Sequence, residues 1–385
     1  MNILVVGGGI GGLTAALALT RAGHHVTLAE RAPAFEPVGA GIILAPNATG
    51  VLAALGVGLA GHGHALPSLD LLRADGKLLG RVETQRLSGR FGPLWSLTRP
   101  ALHAALLDAL PPQVQVIHGH SPSALRDTGT AVEVRFEDGG TESYDLVVGA
   151  DGIRSTVREL LLGPLALRYS GVTCWRGITR NPGLTRAAEA WGDGTRVGTV
   201  PLPGERLYYF LVRTAPPRAP APDWPGGFRD VFRGYRADAG ALLDALTERP
   251  PLHHDLEELP APVWGRGRVV LLGDAAHAMT PNQGQGAAMA VEDAYALARA
   301  LAPGAEGALS RYTALRHRRV RRVQLTSRRL GQAAGWRGPV VRAARDTLVR
   351  AMPRPLADAQ YRRLVQPALD LVGTSRPDGT GVSTR

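Results

Sequence analysis

The sequence has one cysteine, Cys174, one lysine, Lys77, and four methionines in 385 residues. A lone thiol forms no internal disulfide, and it supports neither a Cys-X-X-Cys redox pair nor a cysteine-rich zinc site. The lone lysine sits in Gly76-Lys77-Leu78, so the Gly-Lys-Ser/Thr ending of a Walker loop is missing and a P-loop nucleotidase is excluded. Long apolar runs are missing too, since no stretch reaches the ~20 residues that a bilayer crossing needs. The first twenty residues are uncharged, but five glycines interrupt them and no basic leader precedes them, unlike a secretory signal. These absences predict a cytoplasmic protein without thiol chemistry.

Hydrophobic residues make up 44% and charged residues 20%, the balance of a folded globular chain. The length exceeds what one core usually serves, so two cooperating domains are expected. The net charge is +11, carried almost wholly by arginine. Such an excess governs weak association and not fold, and no nucleic-acid partner is expected from it. The densest tract, 311 to 329, reads as the solvated face of a long helix, continued more sparsely over 342 to 363. Weak contact with an anionic membrane surface through these helices stays open. The histidine pairs 62/64, 118/120 and 253/254 lack the further ligands that would complete a metal set, so no metal is expected.

Residues 3 to 6 form the apolar run of a buried parallel strand. Gly7, Gly9 and Gly12 follow with GxGxxG spacing, Leu13 to Ala22 reads as a helix, and Val26 to Glu30 as a second strand ending in an acid. Strand, turn, helix, strand and acid complete the dinucleotide-binding pattern. Gly7 permits the turn, Gly9 lets N–H groups approach a pyrophosphate, Gly12 lets helix and strand pack, and Glu30 accepts from a ribose hydroxyl. Gly56, Gly58 and Gly61 repeat the spacing, but they follow a helical run with no strand before it.

Two later motifs add to this. Asp145 to Arg158 reads as a strand, the turn Gly149-Ala150-Asp151-Gly152 and a helix. Arg268 to Asp274 is another strand ending in an acid, followed by AAHAMTPNQGQG and a helix. Carboxylates at the C-terminal ends of parallel strands lie where open α/β sheets hold ligands. The three motifs in this order resemble the FAD-dependent aromatic hydroxylases, the para-hydroxybenzoate hydroxylase-like group A flavoprotein monooxygenases. The runs 169 to 178, 201 to 210 and 279 to 294 are most similar to the branch of urate hydroxylases, salicylate hydroxylases and zeaxanthin epoxidases.

That resemblance implies an α/β fold, a Rossmann-like FAD-binding domain of the glutathione reductase type interleaved with an antiparallel β-sheet substrate domain and followed by C-terminal helices. It implies FAD as cofactor, NAD(P)H and O2 as co-substrates, and hydroxylation or epoxidation of a small planar organic substrate through a flavin C4a-hydroperoxide. The cofactor neighbours it implies are Gly7, Gly9, Gly11, Gly12, Glu30, Arg31, Gly41, Arg99, Asp151, Asp274, Gly284, Gln285, Gly286 and Ala287. The substrate neighbours are Arg206, Tyr208, Trp175 and Pro281. The flavin itself does the chemistry, so no side chain is expected to be a nucleophile. A flavin oxidase or dehydrogenase, or an FAD-binding membrane-associated protein, are the alternatives, and the protein is expected as a monomer or homodimer.

The motifs are far apart, so the FAD domain is expected to be discontinuous, over 1–70, 97–167 and 263–340. Residues 71–96 and 168–262 are left for the substrate sheet, 341–370 for a helical segment and 371–385 for a flexible tail. Turn signals at Asp75-Gly76, Gly192-Asp193-Gly194 and Pro203-Gly204 mark antiparallel hairpins. His277, inside the third motif, is expected to make a structural hydrogen bond, and Cys174 to be a small buried hydrophobe.

Overall fold

The computed structural model describes residues 1–35, 39–247 and 249–373. The expected tail therefore lies outside the described residues from 374 onward, while the last helix runs Arg354–Gly373.

The apolar run at the start becomes Asn2–Val6, whose Ile3, Leu4 and Val5 are fully buried. It lies inside a six-stranded sheet, flanked by His25–Glu30 and then Gln115–His118 on one side. On the other side come Leu146–Gly149, Val269–Leu271 and the short Gly265–Arg266. Every pairing is parallel except the last, which is antiparallel. Continuous apolar strands are what a sheet covered on both faces requires. The helices Ile10–Arg21 and Gly286–Leu301 pack closely because small residues meet there: a Cβ on Gly11 would stand 3.3 Å from the Ala290 methyl. The first helix begins at Ile10 and so takes Gly11 and Gly12 into its first turn, three residues before the expected start.

The second sheet has seven strands, in the order Leu252–Glu258, Arg168–Arg180, Arg206–Thr214, Thr195–Leu202, Ala187–Trp191, Leu69–Arg73 and Leu78–Val82. All neighbours are antiparallel except Ala187–Trp191 with Leu69–Arg73. Alternation along the strands sorts their side chains between two faces. On the outer face Trp175, Val197, Tyr209 and Leu211 form one core with Phe228, Phe232 and Leu242. On the inner face Val200, Leu202 and Tyr208 pack with Ala40, Ala45 and Tyr361. The inner face is the one turned towards the strand Gly41–Leu44, because a Cβ on Gly41 would strike the Tyr208 ring. The long helix Ala308–Ala334 packs against Gly286–Leu301, and two further helices, Pro339–Arg350 and Arg354–Gly373, follow.

Candidate active site

Three loops from the six-stranded sheet converge. In the first, Gly7 turns with φ +105°, and a Cβ there would lie 2.7 Å from the Ala150 carbonyl oxygen of the second loop. A Cβ on Gly12 would strike the Gly7 carbonyl itself. Above Gly9 nothing lies within 4 Å of where a Cβ would stand, and the helix it introduces has no side-chain cap and no acid in its first turn. Its leading N–H groups and positive dipole end therefore face open space, which suits an anion. The loop is held in place independently. The Gly8 N–H donates to Glu30 Oε2 at 2.7 Å, Ala32 N–H to Glu30 Oε1 at 2.8 Å, and His103 Nε2 meets the Gly8 carbonyl at 2.8 Å. Glu30 is thus a brace of the loop as well as the acid at the strand end, with lone pairs to spare for a hydroxyl.

Asp151 lies beside Gly7. Its Oδ1 accepts from Ser155 Oγ at 2.6 Å and its Oδ2 from the Val157 N–H at 3.0 Å, so the carboxylate stitches the start of the helix Thr156–Leu162. Burial raises its pKa, against the pull of those donors. Arg158 from the same helix donates to the Ala275 carbonyl at 3.0 Å and to the Ile153 carbonyl at 2.7 Å, tying the second loop to the third. In that third loop Asp274 is exposed and opens the short helix Asp274–His277. A Cβ on Gly286 would come within 3.9 Å of its Oδ1, and Gly284, at φ +62°, has open space above it. Ala287 is half-buried just beyond.

A buried ionic frame supports this third loop. Gln285 Oε1 accepts from Asn47 Nδ2 at 2.9 Å, and the same amide donates to Glu292 Oε1 at 2.8 Å. Arg316 reaches Glu292 Oε2 and Asp293 Oδ1, both at 2.6 Å, Arg319 reaches Glu292 at 2.6 Å, and His277 Nε2 meets Asp293 Oδ2 at 2.5 Å. Burial by itself would raise the Asp293 carboxyl; His277, Arg316 and the Gly273 N–H outweigh it and hold the group down at about 2. Glu292 is likewise lowered, burial being outweighed by Arg316, Arg319 and Asn47. His277 therefore makes a structural hydrogen bond. The tract 311 to 329 is not simply a solvated face, however: Arg316 and Arg319 turn inward because Gly286–Leu301 carries two acids into the interior.

The inner face of the seven-stranded sheet lies over these loops. Arg196 Nη1 donates to Asn282 Oδ1 at 2.7 Å, which joins the sheet to the loop that starts at Pro281. Pro281 is itself exposed. Tyr208 is buried on this face, and burial pushes its hydroxyl up to about 12. Strand register puts Cys174, Arg176 and Ile178 on the same face, with His254 opposite Cys174. The His254 pKa is lowered first by burial and then by Arg176, His253 and Arg99. Arg176 Nε donates to Cys174 Sγ at 3.4 Å, and among the described residues no carboxylate pairs with its guanidinium. Arg99 starts the helix Arg99–Asp108 behind its Thr98 cap and packs along Gly39, also without an acid among the described residues. Glu189 on the same face meets Arg196 at 3.3 Å, which leaves Arg99 and Arg176 as cations without an acid on this side among the described residues.

Two expected substrate neighbours lie elsewhere. Trp175 is one residue out of phase with Tyr208 and belongs to the outer core, stacked on His253 and edge-on to Phe228. Arg206 stands exposed at the Pro203-Gly204 hairpin with its Nε donating to the Pro203 carbonyl at 3.0 Å; the strand ends there, so its side chain meets water. Arg31 is exposed. Sequence reasoning passed over Arg176, Arg196 and Asn47, and weighed His254 only as half of a pair that binds no metal. All of them depend on strand and helix pairing, which no local signal supplies.

The cradle fits a dinucleotide. Glycines line it where ligand would press closest, open space lies over Gly9, Gly152 and Gly284, and free helix N–H groups meet the pyrophosphate position. A family model described as "FAD binding domain" matches residues 1–170 and 233–327. The aurachin C monooxygenase/isomerase of Stigmatella aurantiaca is 38% identical over 95% of this chain and 98% of its own. The 2-heptyl-3-hydroxy-4(1H)-quinolone synthase of Pseudomonas aeruginosa is 38% identical over 97% and 99%. Among solved structures, Klebsiella pneumoniae HpxO complexed with FAD and uric acid matches with a TM-score of 0.86 at 26% identity, covering 96% of this chain and 97% of that one.

Proposed function

The chain belongs to the FAD-dependent aromatic hydroxylase family and is an FAD-dependent monooxygenase, and from that premise we propose that it uses NAD(P)H and O2 to hydroxylate a planar heteroaromatic ring bearing an acidic or carbonyl oxygen. A 4-quinolone of the kind named in its Pseudomonas relative is such a ring. The carrying observation is Arg176, a half-buried cation on the Tyr208 face with a thiol, and no carboxylate, as its partner among the described residues. A buried charge without a counter-charge is costly, and a ligand oxygen lowers that cost.

Gly7, Gly9, Gly12 and Glu30 would hold the adenosine and pyrophosphate end of FAD. Asp274 and Arg99 would flank its middle, and the backbone of Gly284, Gln285, Gly286 and Ala287 would meet the ring. Bound FAD supplies the electron and oxygen transfer. The chain aims the substrate: Arg176 anchors its oxygen, Tyr208 packs on its plane, and the sheet excludes water from the space between. The N–H groups at the start of Gly286–Leu301 would steady negative charge at the ring edge without a full cation.

The experiment is a screen of 2-heptyl-4-quinolone, salicylate and urate for substrate-stimulated oxidation of NADH and NADPH by the FAD-loaded protein, with 18O2 to trace the product oxygen. Stimulation with one labelled oxygen in the product is the expected result. NAD(P)H oxidation that no ring accelerates, or that yields only hydrogen peroxide, would overturn the reading.

A further inference from the structure

Six of the twelve large apolar side chains that stand exposed among the described residues fall between 336 and 356: Trp336, Val340, Val341, Leu348, Met352 and Leu356. Val340 is 79% exposed and Leu348 69%. On the helix Pro339–Arg350, Val340, Ala344 and Leu348 recur every four residues and form one stripe. The helix already has an inner side. Arg345 and Asp346 are buried, and Val349 reaches Gly80 on the edge strand of the seven-stranded sheet, at 3.8 Å from where a Cβ would stand. The apolar stripe is therefore surplus to the fold. Met352 in the turn that follows and Leu356 in the next helix are exposed as well.

Charge tells what the stripe faces. The only acid from 336 to 356 is Asp346, buried and bonded to Arg345. Arg350 and Arg354 are exposed and make no ion pair among the described residues. The denser tract upstream is largely committed: Arg311 donates to the carbonyls of Ala300, Gly304 and Glu306, Arg316 and Arg319 to Glu292, Arg321 to Pro260, and Arg328 to Glu258. A second copy of this chain is a less apt occupant, because between 336 and 356 the face offers no exposed acid to receive a partner's Arg350 and Arg354.

We propose that this face docks the protein on an anionic lipid surface, with Pro339–Arg350 lying along the headgroup boundary, its apolar stripe inserted and Arg350 and Arg354 on the phosphates. An interfacial helix has this composition: apolar residues down one side, flanked by long cations whose stems are themselves apolar. Docking of this kind would let a lipophilic substrate pass from membrane to protein, but it stands without the substrate reading and is measured apart from it.

The test is co-sedimentation of the FAD-loaded full chain with phosphatidylcholine vesicles containing phosphatidylglycerol, and with phosphatidylcholine alone. Binding to the anionic vesicles that weakens with salt is expected. Each arginine near such a surface strengthens binding about fivefold, so Arg350→Glu with Arg354→Glu should lower it by well over tenfold. Val340→Asp with Leu348→Asp should abolish it while FAD content and unfolding temperature stay unchanged, which separates docking from misfolding. Equal sedimentation with and without anionic vesicles would overturn the proposal. So would a dimer in light scattering that Val340→Asp with Leu348→Asp dissolves, or vesicle binding that survives both double variants.

Discussion

Arg316 is buried and Arg176 half-buried, and the two arginines live in opposite surroundings. Arg316, 2% exposed, spans Glu292 and Asp293 and holds the long helix to the helix Gly286–Leu301. Arg176 touches the Cys174 sulfur and shares its face with Tyr208. The first guanidinium is answered inside the fold and so acts as framework. The second is left for something the fold does not contain. Whether a buried arginine supports structure or a ligand is thus decided by where the acids are, and not by the arginine.

The contrast is most readily broken at Arg316. Arg316→Met takes from two buried carboxylates the cation they share, leaving Glu292 to Arg319 and Asn47 and Asp293 to His277 and the Gly273 N–H. Removing one partner of a buried pair costs about 3–5 kcal/mol, and urea unfolding should show a loss towards the lower end of that range together with poor FAD retention. A variant as stable as the parent would show that the acids do not depend on it. Arg176→Gln should behave in the reverse manner, with stability and FAD content kept and the substrate KM raised roughly thirtyfold, the worth of about 2 kcal/mol for a charged hydrogen bond. Steady-state kinetics with an unaltered KM would remove Arg176 from the pocket.

Acid sharpens the same comparison. The Asp293 carboxyl is held at about 2 in the fold against its ordinary 3.8, so its contribution is present in full above pH 3.8 and is lost as pH falls towards 2. Linkage gives about 2 kcal/mol for that loss, with Glu292, also lowered, acting in the same direction. Denaturant titrations across this window should show the decline, and Asp293→Asn should flatten it. The smallest effect belongs to Arg206→Ala. An exposed hairpin arginine bonded to its own turn should change KM by less than about twofold, whereas a rise matching that of Arg176→Gln would restore it to the pocket.

The nucleotide-binding half was legible because its signals are local. Glycine spacing, an apolar run and a terminal acid within thirty residues fix Asn2–Val6, Ile10–Arg21 and His25–Glu30 to within a few residues, and Gly7 and Gly12 have steric work that no other residue does. The substrate side was legible only as a sheet. Alternation says that Trp175 and Arg176 point opposite ways, but not which points inward; that follows from pairing Ile178 with Tyr208 and Arg176 with Phe210 across two strands. Aromatic character favoured Trp175, and the outer helices had the stronger claim on it because Phe228 and Phe232 supply apolar cover there. The buried acids were hidden for the same reason: Glu292 and Asp293 look like any acids on a helix until Ala308–Ala334 lies across them.

The order of the strands also governs how the chain can come together. Asn2–Val6 takes Leu146–Gly149 as its neighbour, and that strand in turn receives Val269–Leu271, while Leu69–Arg73 joins the other sheet through Ala187–Trp191. Each sheet is sewn from segments far apart in the chain, so any cut between 83 and 258 divides both. A ribosome must deliver about seven-tenths of the protein before the first strand's sheet is complete, at Leu271, and until then the sheet's open edges are exposed to wrong pairings. Fragments and transplants bounded between 83 and 258 should therefore fail as units, because each would carry two unfinished sheets.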